Sequence, residues 1–123
     1  NIKAIEQRFD LSEFPLAVFA YGNILYNPAG FDIPDDLMIH EQTHELQQSA
    51  YGVELWWMKY IADNQFRLTQ EVEAYRNQYQ FVKTKYTRQV RRSLLQQMAK
   101  TLASRLYGSI INKKEAQELI ENE

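Results

Sequence analysis

The segment His40-Glu41-Gln42-Thr43-His44 lies within residues 33–51, a stretch with the sequence features of one helix. Pro34 is tolerated in a first helical turn, and the acids Asp35-Asp36 suit the positive end of the helix dipole. Gly52 supplies a C-terminal stop. Because residues four apart lie on one face of a helix, the sequence predicts that both imidazoles point at the same site.

These two histidines are the only ones in the chain, and a glutamate directly follows the first. A shuffled sequence of this composition would show the arrangement roughly once in 700 trials, so the signal is specific. Neutral imidazole nitrogens suit Zn²⁺, and the Glu41 carboxylate, one step round the helix, can accept a proton from water that the metal polarises. The alternative is a pair of surface histidines that bind nothing.

A catalytic zinc site needs a third protein ligand. The chain has no Cys and no further His, so this ligand must be an oxygen. Glu71 is the better candidate and Glu73 the second, because the small Ala74, one turn after Glu71, leaves room for the histidine helix. Tyr75 would share the face of Glu71. The alternative is an acidic helix start that the dipole stabilises.

Two short apolar segments precede the histidine helix. Leu16–Tyr21 and Ile24–Tyr26 are β-prone, and Gly22-Asn23 between them has turn chemistry, so the sequence predicts a β-hairpin. Apolar residues at helical spacing also predict a short helix within residues 1–14.

The remainder of the chain has mostly helical patterns. Val53–Ile61 is predicted to be a short helix or a packed connection, and Thr69 to cap a helix that runs to about Lys83. A further helix is predicted over Thr87–Tyr107, and a capping box from Asn112 to Glu115 opens a final one. The sequence therefore predicts a single α+β domain, residues 1–123, that is mostly helical with a small N-terminal antiparallel sheet packed on the histidine helix.

Composition excludes several classes of protein. With 45% hydrophobic and 24% charged residues, the chain is not expected to be disordered. It lacks Cys and any apolar run long enough to span a membrane, and no leader is visible, so we expect a cytoplasmic protein. Residues 61–107 carry nine Lys/Arg against three Asp/Glu. We interpret this basic segment as a solvated helix face and do not expect a nucleic-acid partner.

The motif at residues 40–48, followed by Glu71-x-x-Ala74-Tyr75, resembles the gluzincin-type metallopeptidases, in particular small single-domain zinc peptidases of bacteria and their phages. The resemblance covers residues 16–75. It implies a zincin-like fold, a Zn²⁺ cofactor and a peptide or protein substrate.

The resemblance also implies roles for individual residues. His40, His44 and Glu71 match the zinc ligands of the family, and Glu41 matches its general base. The family often has Asp where this chain has Tyr75, and larger members stabilise the oxyanion with His or Tyr. Here only a tyrosine could do so, and the candidates are Tyr21, Tyr26, Tyr51, Tyr75 and Tyr107. An edge strand binds the substrate in zincins, which implies a role for Val18, Phe19 and Ala20.

Two other functions are compatible with the same sequence. One is a helical interaction module whose metal site only stabilises the fold, although such a site has no use for Glu41 as a base. The other is a regulatory peptidase that cleaves a repressor. Weaker signals are Gln47 and Gln48, which we interpret as solvated or structural, and the adjacent Trp56 and Trp57, of which we expect one to pack in the core.

Overall fold

The computed structural model describes residues 18–122. The predicted helix within residues 1–14 and the first two residues of the predicted first strand lie outside this range. The described part is an α+β structure dominated by helix, as predicted. Its elements, in chain order, are β1 (Phe19–Tyr21), β2 (Ile24–Tyr26), α1 (Asp35–Tyr51), α2 (Val53–Ala62), α3 (Asn64–Lys85), α4 (Arg88–Leu102), a 3-10 turn (Arg105–Tyr107) and α5 (Lys113–Glu121).

The predicted β-hairpin is present. The strands pair antiparallel, with Ala20 opposite Leu25, and Gly22 has a positive φ of 61° at the first position of the turn. Glycine adopts this conformation without steric cost. The buried Gln48 side chain of α1 holds the hairpin: its Nε2 donates to Ala20 O (2.8 Å), and its Oε1 accepts from Gly22 N (2.6 Å). The sheet therefore packs on the histidine helix.

Helix α1 ends where the sequence predicts and begins two residues later than predicted. It begins after Pro34, with Asp35 and Asp36 in its first turn, and it ends at Gly52, which has a φ of 90°. Gly52 alone separates α1 from α2. Because this joint is one residue long, the direction of α2 is tied closely to that of the histidine helix.

The predicted start of α3 is wrong. The helix begins at Asn64, where Asp63 caps it by accepting from the backbone N–H groups of Gln65 and Phe66. Thr69 lies inside the helix and donates its hydroxyl to Gln65 O. A single capping aspartate, without Gly or Pro, thus divides α2 from α3. Glu71 consequently lies in the third turn, so the dipole interpretation of the acidic pair does not apply to it.

The predicted helix over Thr87–Tyr107 is too long at its C-terminal end. The helix starts close to the predicted position, with Thr87 as its cap, but it ends at Leu102, and a separate 3-10 turn follows. Serine 104 causes the break, because its side chain accepts from Leu106 N and starts the new turn. The predicted capping box at the start of α5 is present, with Asn112 and Glu115 bonded reciprocally.

Two groups of apolar side chains form the core. One lies among α3, α4 and α5 and includes Val72, Tyr75, Val82, Met98, Leu102 and Ile120. The other is aromatic and contains Trp56, Trp57 and Tyr60 of α2, with the hairpin packed against it. No helix within residues 18–122 is long and apolar enough to cross a membrane.

Candidate metal centre

His40, His44 and Glu71 meet between α1 and α3, and all three are buried. Nε2 of His40 lies 3.0 Å from Oε1 of Glu71, and Nε2 of His44 lies 3.0 Å from Oε2 of the same carboxylate. The two Nε2 atoms are 3.2 Å apart. One ligand atom from each residue lies within 4.8 Å of the others, so the three could hold a metal ion. The sequence had predicted this set.

Glu73, the second candidate for the third ligand, is not in this cluster. Its side chain is exposed and accepts a hydrogen bond from Gln47 Nε2 at 2.7 Å. The two glutamates are two positions apart on α3, so they lie on different faces of that helix.

The electrostatics of the cluster favour a cation. Burial alone would lower the pKa of His44, but the Glu71 carboxylate outweighs it and raises that pKa to about 9. Burial likewise opposes ionisation of Glu71, yet His44 and the hydrogen bonds from both imidazoles hold its pKa well below the usual range. Three potential ligand atoms thus lie close together, and a positive charge among them is favourable. A bound metal ion would supply that charge.

Hydrogen bonds outside the cluster aim the ligand atoms inward. Nδ1 of His40 lies 3.0 Å from Oε1 of Gln78, and Nδ1 of His44 lies 2.8 Å from Oε1 of Gln47. Since an amide oxygen only accepts, each Nδ1 carries a proton and each Nε2 faces Glu71. The residues could therefore hold a metal ion through two nitrogen ligands and one oxygen ligand.

Glu41 lies beside the cluster and is also buried. Burial raises its pKa, which the nearby imidazoles partly offset. Its Oε1 atom is buried and has no hydrogen-bond partner. A buried carboxylate oxygen without a partner is costly, so this atom is available for a molecule that enters the site.

A cavity of about 180 Å³ opens onto these residues. His40, His44, Glu71 and Glu41 line its polar part. Val18, Phe19 and Ala20, which the resemblance assigned to the substrate, lie in its wall with both tryptophans. Typical small-molecule pockets occupy about 300–1,000 Å³, so this one accommodates a side chain rather than a large ligand.

Tyrosines form the opposite part of the cavity wall. Tyr75 packs its ring edge-on against His40, with centroids 4.3 Å apart, and its hydroxyl lies 3.0 Å from that of Tyr107. Tyr75 therefore contacts His40 by ring packing, whereas the aspartate that the family often has at this position would form a hydrogen bond. Within residues 18–122, the cavity wall includes Tyr60, Tyr75 and Tyr107 but none of the other candidates, Tyr21, Tyr26 and Tyr51.

Sequence reasoning missed three residues of the site. The Tyr60 hydroxyl donates to Oε2 of Glu71 at 2.5 Å. Gln78 follows Glu71 by seven positions, a spacing that places both on one helix face and could have identified it. Arg67 is buried and donates to the carbonyls of Tyr60 and Tyr107, so it connects α2 with the 3-10 turn.

Two interpretations of weaker signals need correction. Gln47 and Gln48 are buried, so of the interpretation 'solvated or structural' the solvated half is wrong; each bonds to a part of the site. Trp56 and Trp57 diverge, with rings nearly perpendicular, but both are buried, at 1% and 3% exposure. Both indoles line the cavity, which gives them an interior surface.

Comparison of the chain with protein-family models, with curated proteins and with solved structures finds no match. The resemblance to gluzincin-type peptidases therefore stays a prediction, and the function must be argued from the site itself.

Proposed function

We propose that the protein is a zinc-dependent peptidase of the gluzincin type, in which His40, His44 and Glu71 hold the metal. The observation that carries the proposal is the Glu41 carboxylate, buried beside the three ligands with one oxygen unpartnered. A metal site that only stabilised the fold would gain nothing from a second buried acid next to it. When bound, Zn²⁺ would supply Lewis acidity, which polarises a carbonyl and lowers the pKa of water toward about 7.

Glu41 is the general base of the proposed reaction. Burial raises the pKa of Glu41, so its carboxylate is a stronger base than that of an exposed glutamate. It takes one proton from water as the water oxygen bonds to the scissile carbonyl carbon. As the carbon–nitrogen bond breaks, Glu41 returns that proton to the leaving amine.

Tyr75 and Tyr107 are the candidates for stabilising charge on the carbonyl oxygen. Burial raises the pKa of both hydroxyls, so both keep their protons. The bond between them uses one of the two protons, which leaves one to be donated to a substrate. Donors of this kind act most strongly in sites that exclude water, as in this buried wall.

The substrate is proposed to lie along Val18–Ala20, with one side chain in the cavity. β1 pairs with β2 on one side, and its other side faces α1. The Ala20 carbonyl already accepts from Gln48, but a carbonyl oxygen has a second lone pair. Aromatic and aliphatic walls favour an apolar side chain at this position.

The decisive variant is Glu41→Gln, which keeps the shape of the side chain and removes the base. Zinc-loaded wild-type protein, the variant and chelator-treated protein are each incubated with a peptide library prepared from a bacterial proteome, and new termini are read by mass spectrometry. We expect zinc-loaded wild type to produce cleavages, chelator-treated protein to produce none, and Glu41→Gln to cleave more slowly by about 10²–10⁴-fold.

Glu45→Gln is the matched control, because Glu45 lies one turn further along α1 with an exposed side chain. It is expected to cleave like the wild type. Metal content must be equal in the wild type, Glu41→Gln and Glu45→Gln. Equal cleavage by Glu41→Gln and wild type, at equal zinc content, would refute the role of Glu41.

A further inference from the structure

Both imidazoles of the candidate centre are bonded to a buried neutral amide. For His40 the amide is that of Gln78, and a second hydrogen bond on the far side of this amide fixes its orientation. Nε2 of Gln78 donates to Oδ2 of Asp36 at 2.7 Å, so its Oε1 must face the imidazole. Carboxylate, amide and imidazole therefore form a chain in which each hydrogen bond sets the direction of the next.

His44 has an equivalent chain built from different elements. Nε2 of Gln47 donates to the backbone carbonyl of Gln70 at 3.0 Å and to Oε1 of Glu73 at 2.7 Å. Both are acceptors, so Oε1 of Gln47 is directed at His44 Nδ1. The two chains arise independently, since one glutamine lies on α1 and the other on α3.

We propose that Gln47 and Gln78 are positioning residues that keep a proton on each Nδ1 and thereby present both Nε2 lone pairs to the metal. We further infer that they keep the Nδ1 side of each imidazole neutral. A carboxylate in direct contact with Nδ1–H makes an imidazole a more basic ligand. Here a glutamine amide separates each imidazole from the nearest acid behind it, Asp36 or Glu73. The imidazoles therefore donate less electron density to the metal, and the metal keeps more of its positive charge.

The inference rests on the metal-binding part of the proposed function and does not require peptide hydrolysis. Its test is therefore the binding of Zn²⁺ alone, measured by competition with a chromophoric chelator. Gln78→Met removes the amide at nearly constant volume and is expected to weaken Zn²⁺ binding by about 10–100-fold. Gln80→Met is the matched control: Gln80 is a half-buried glutamine of the same helix, two positions from Gln78, and its side chain does not line the cavity. Its dissociation constant for Zn²⁺ should equal that of the wild type.

Nitrogen NMR supplies a readout that a merely structural role would not change. The chain has two histidines, so ¹⁵N-labelled imidazoles give only two ring systems. In zinc-loaded wild type we expect protonated Nδ1 and metal-bound Nε2 in both rings. In Gln78→Met the His40 ring is expected to lose this uniform state.

A charge exchange, Asp36→Asn with Gln78→Glu, tests the second part and also serves if Gln78→Met does not fold. It keeps the number of charges and the amide–carboxylate bond, but it places the carboxylate directly against His40. We expect Zn²⁺ binding about tenfold tighter than in the wild type. Binding no tighter than wild type would overturn the inference about charge, and a proton on Nε2 of either ring in the zinc-loaded wild type would overturn positioning. A wild type that binds Zn²⁺ but hydrolyses no peptide refutes the proposed function alone.

Discussion

Removing the Tyr60 hydroxyl isolates one hydrogen bond to the buried Glu71 carboxylate. Tyr60→Phe keeps the ring, which stacks on Trp56 with centroids 4.7 Å apart and packs edge-on against His44. The Glu71 carboxylate then loses one hydrogen-bond donor. The Glu71 side chain is only 3% exposed, so water cannot replace that donor. A hydrogen bond to a charged group contributes about 1.5–3 kcal/mol. Because this one is buried, we expect the free energy of unfolding to fall by about 2 kcal/mol.

Tyr75→Phe is the matched comparison in the same wall. Its hydroxyl bonds to the neutral hydroxyl of Tyr107 at 3.0 Å, so its loss should cost about 0.5–1.5 kcal/mol. Both variants are measured by urea unfolding of metal-free protein at neutral pH, followed by circular dichroism. The expected order is a larger loss for Tyr60→Phe. Equal losses, or a larger one for Tyr75→Phe, would show that the Tyr60 bond does not support the carboxylate as the structure indicates.

Two further predictions concern the metal and the hairpin. At a Zn²⁺ concentration 100 times its dissociation constant, the wild type should gain about 2.7 kcal/mol in free energy of unfolding, measured by urea titration. Glu71→Gln should bind Zn²⁺ at least about tenfold more weakly and so lose about 1.4 kcal/mol of this gain. An equal gain in both proteins would exclude Glu71 as a ligand. Gln48→Ala removes the bonds to Ala20 O and Gly22 N and should destabilise the hairpin by about 1–3 kcal/mol, which native-state hydrogen exchange of the Gly22 amide measures. Unchanged exchange would mean that packing alone holds the strands.

The centre of the site could be predicted because its residues are rare and regularly spaced. His40 and His44 are the only histidines, and their spacing of four places them on one helix face. The absence of Cys and of further His required an oxygen ligand, and Ala74 after Glu71, together with the family resemblance, favoured Glu71 over Glu73. The hairpin was equally accessible, since Gly22-Asn23 has strong local turn chemistry.

The surroundings of the site were not predictable in the same way. Tyr60 and Gln78 reach the ligands across helix interfaces, and sequence periodicity does not fix how two helices rotate against each other. The start of α3 was missed because one residue, Asp63, both ends α2 and caps the next helix. Gln47 was interpreted as solvated or structural; besides His44 on its own helix it bonds to Gln70 and Glu73 on α3, and periodicity does not place these residues beside it.

The joints between the first three helices leave no slack in the chain. Gly52 and Asp63 are each the entire connection between two helices, so the path from the histidines to Glu71 is almost continuous helix. An added residue at either joint would rotate and shift everything downstream by about 100° and 1.5 Å if absorbed as helix. Insertions and deletions are therefore far better tolerated in the 27–34 loop than at positions 52 and 63. Related sequences that keep this centre should vary in the length of that loop and keep both joints at one residue.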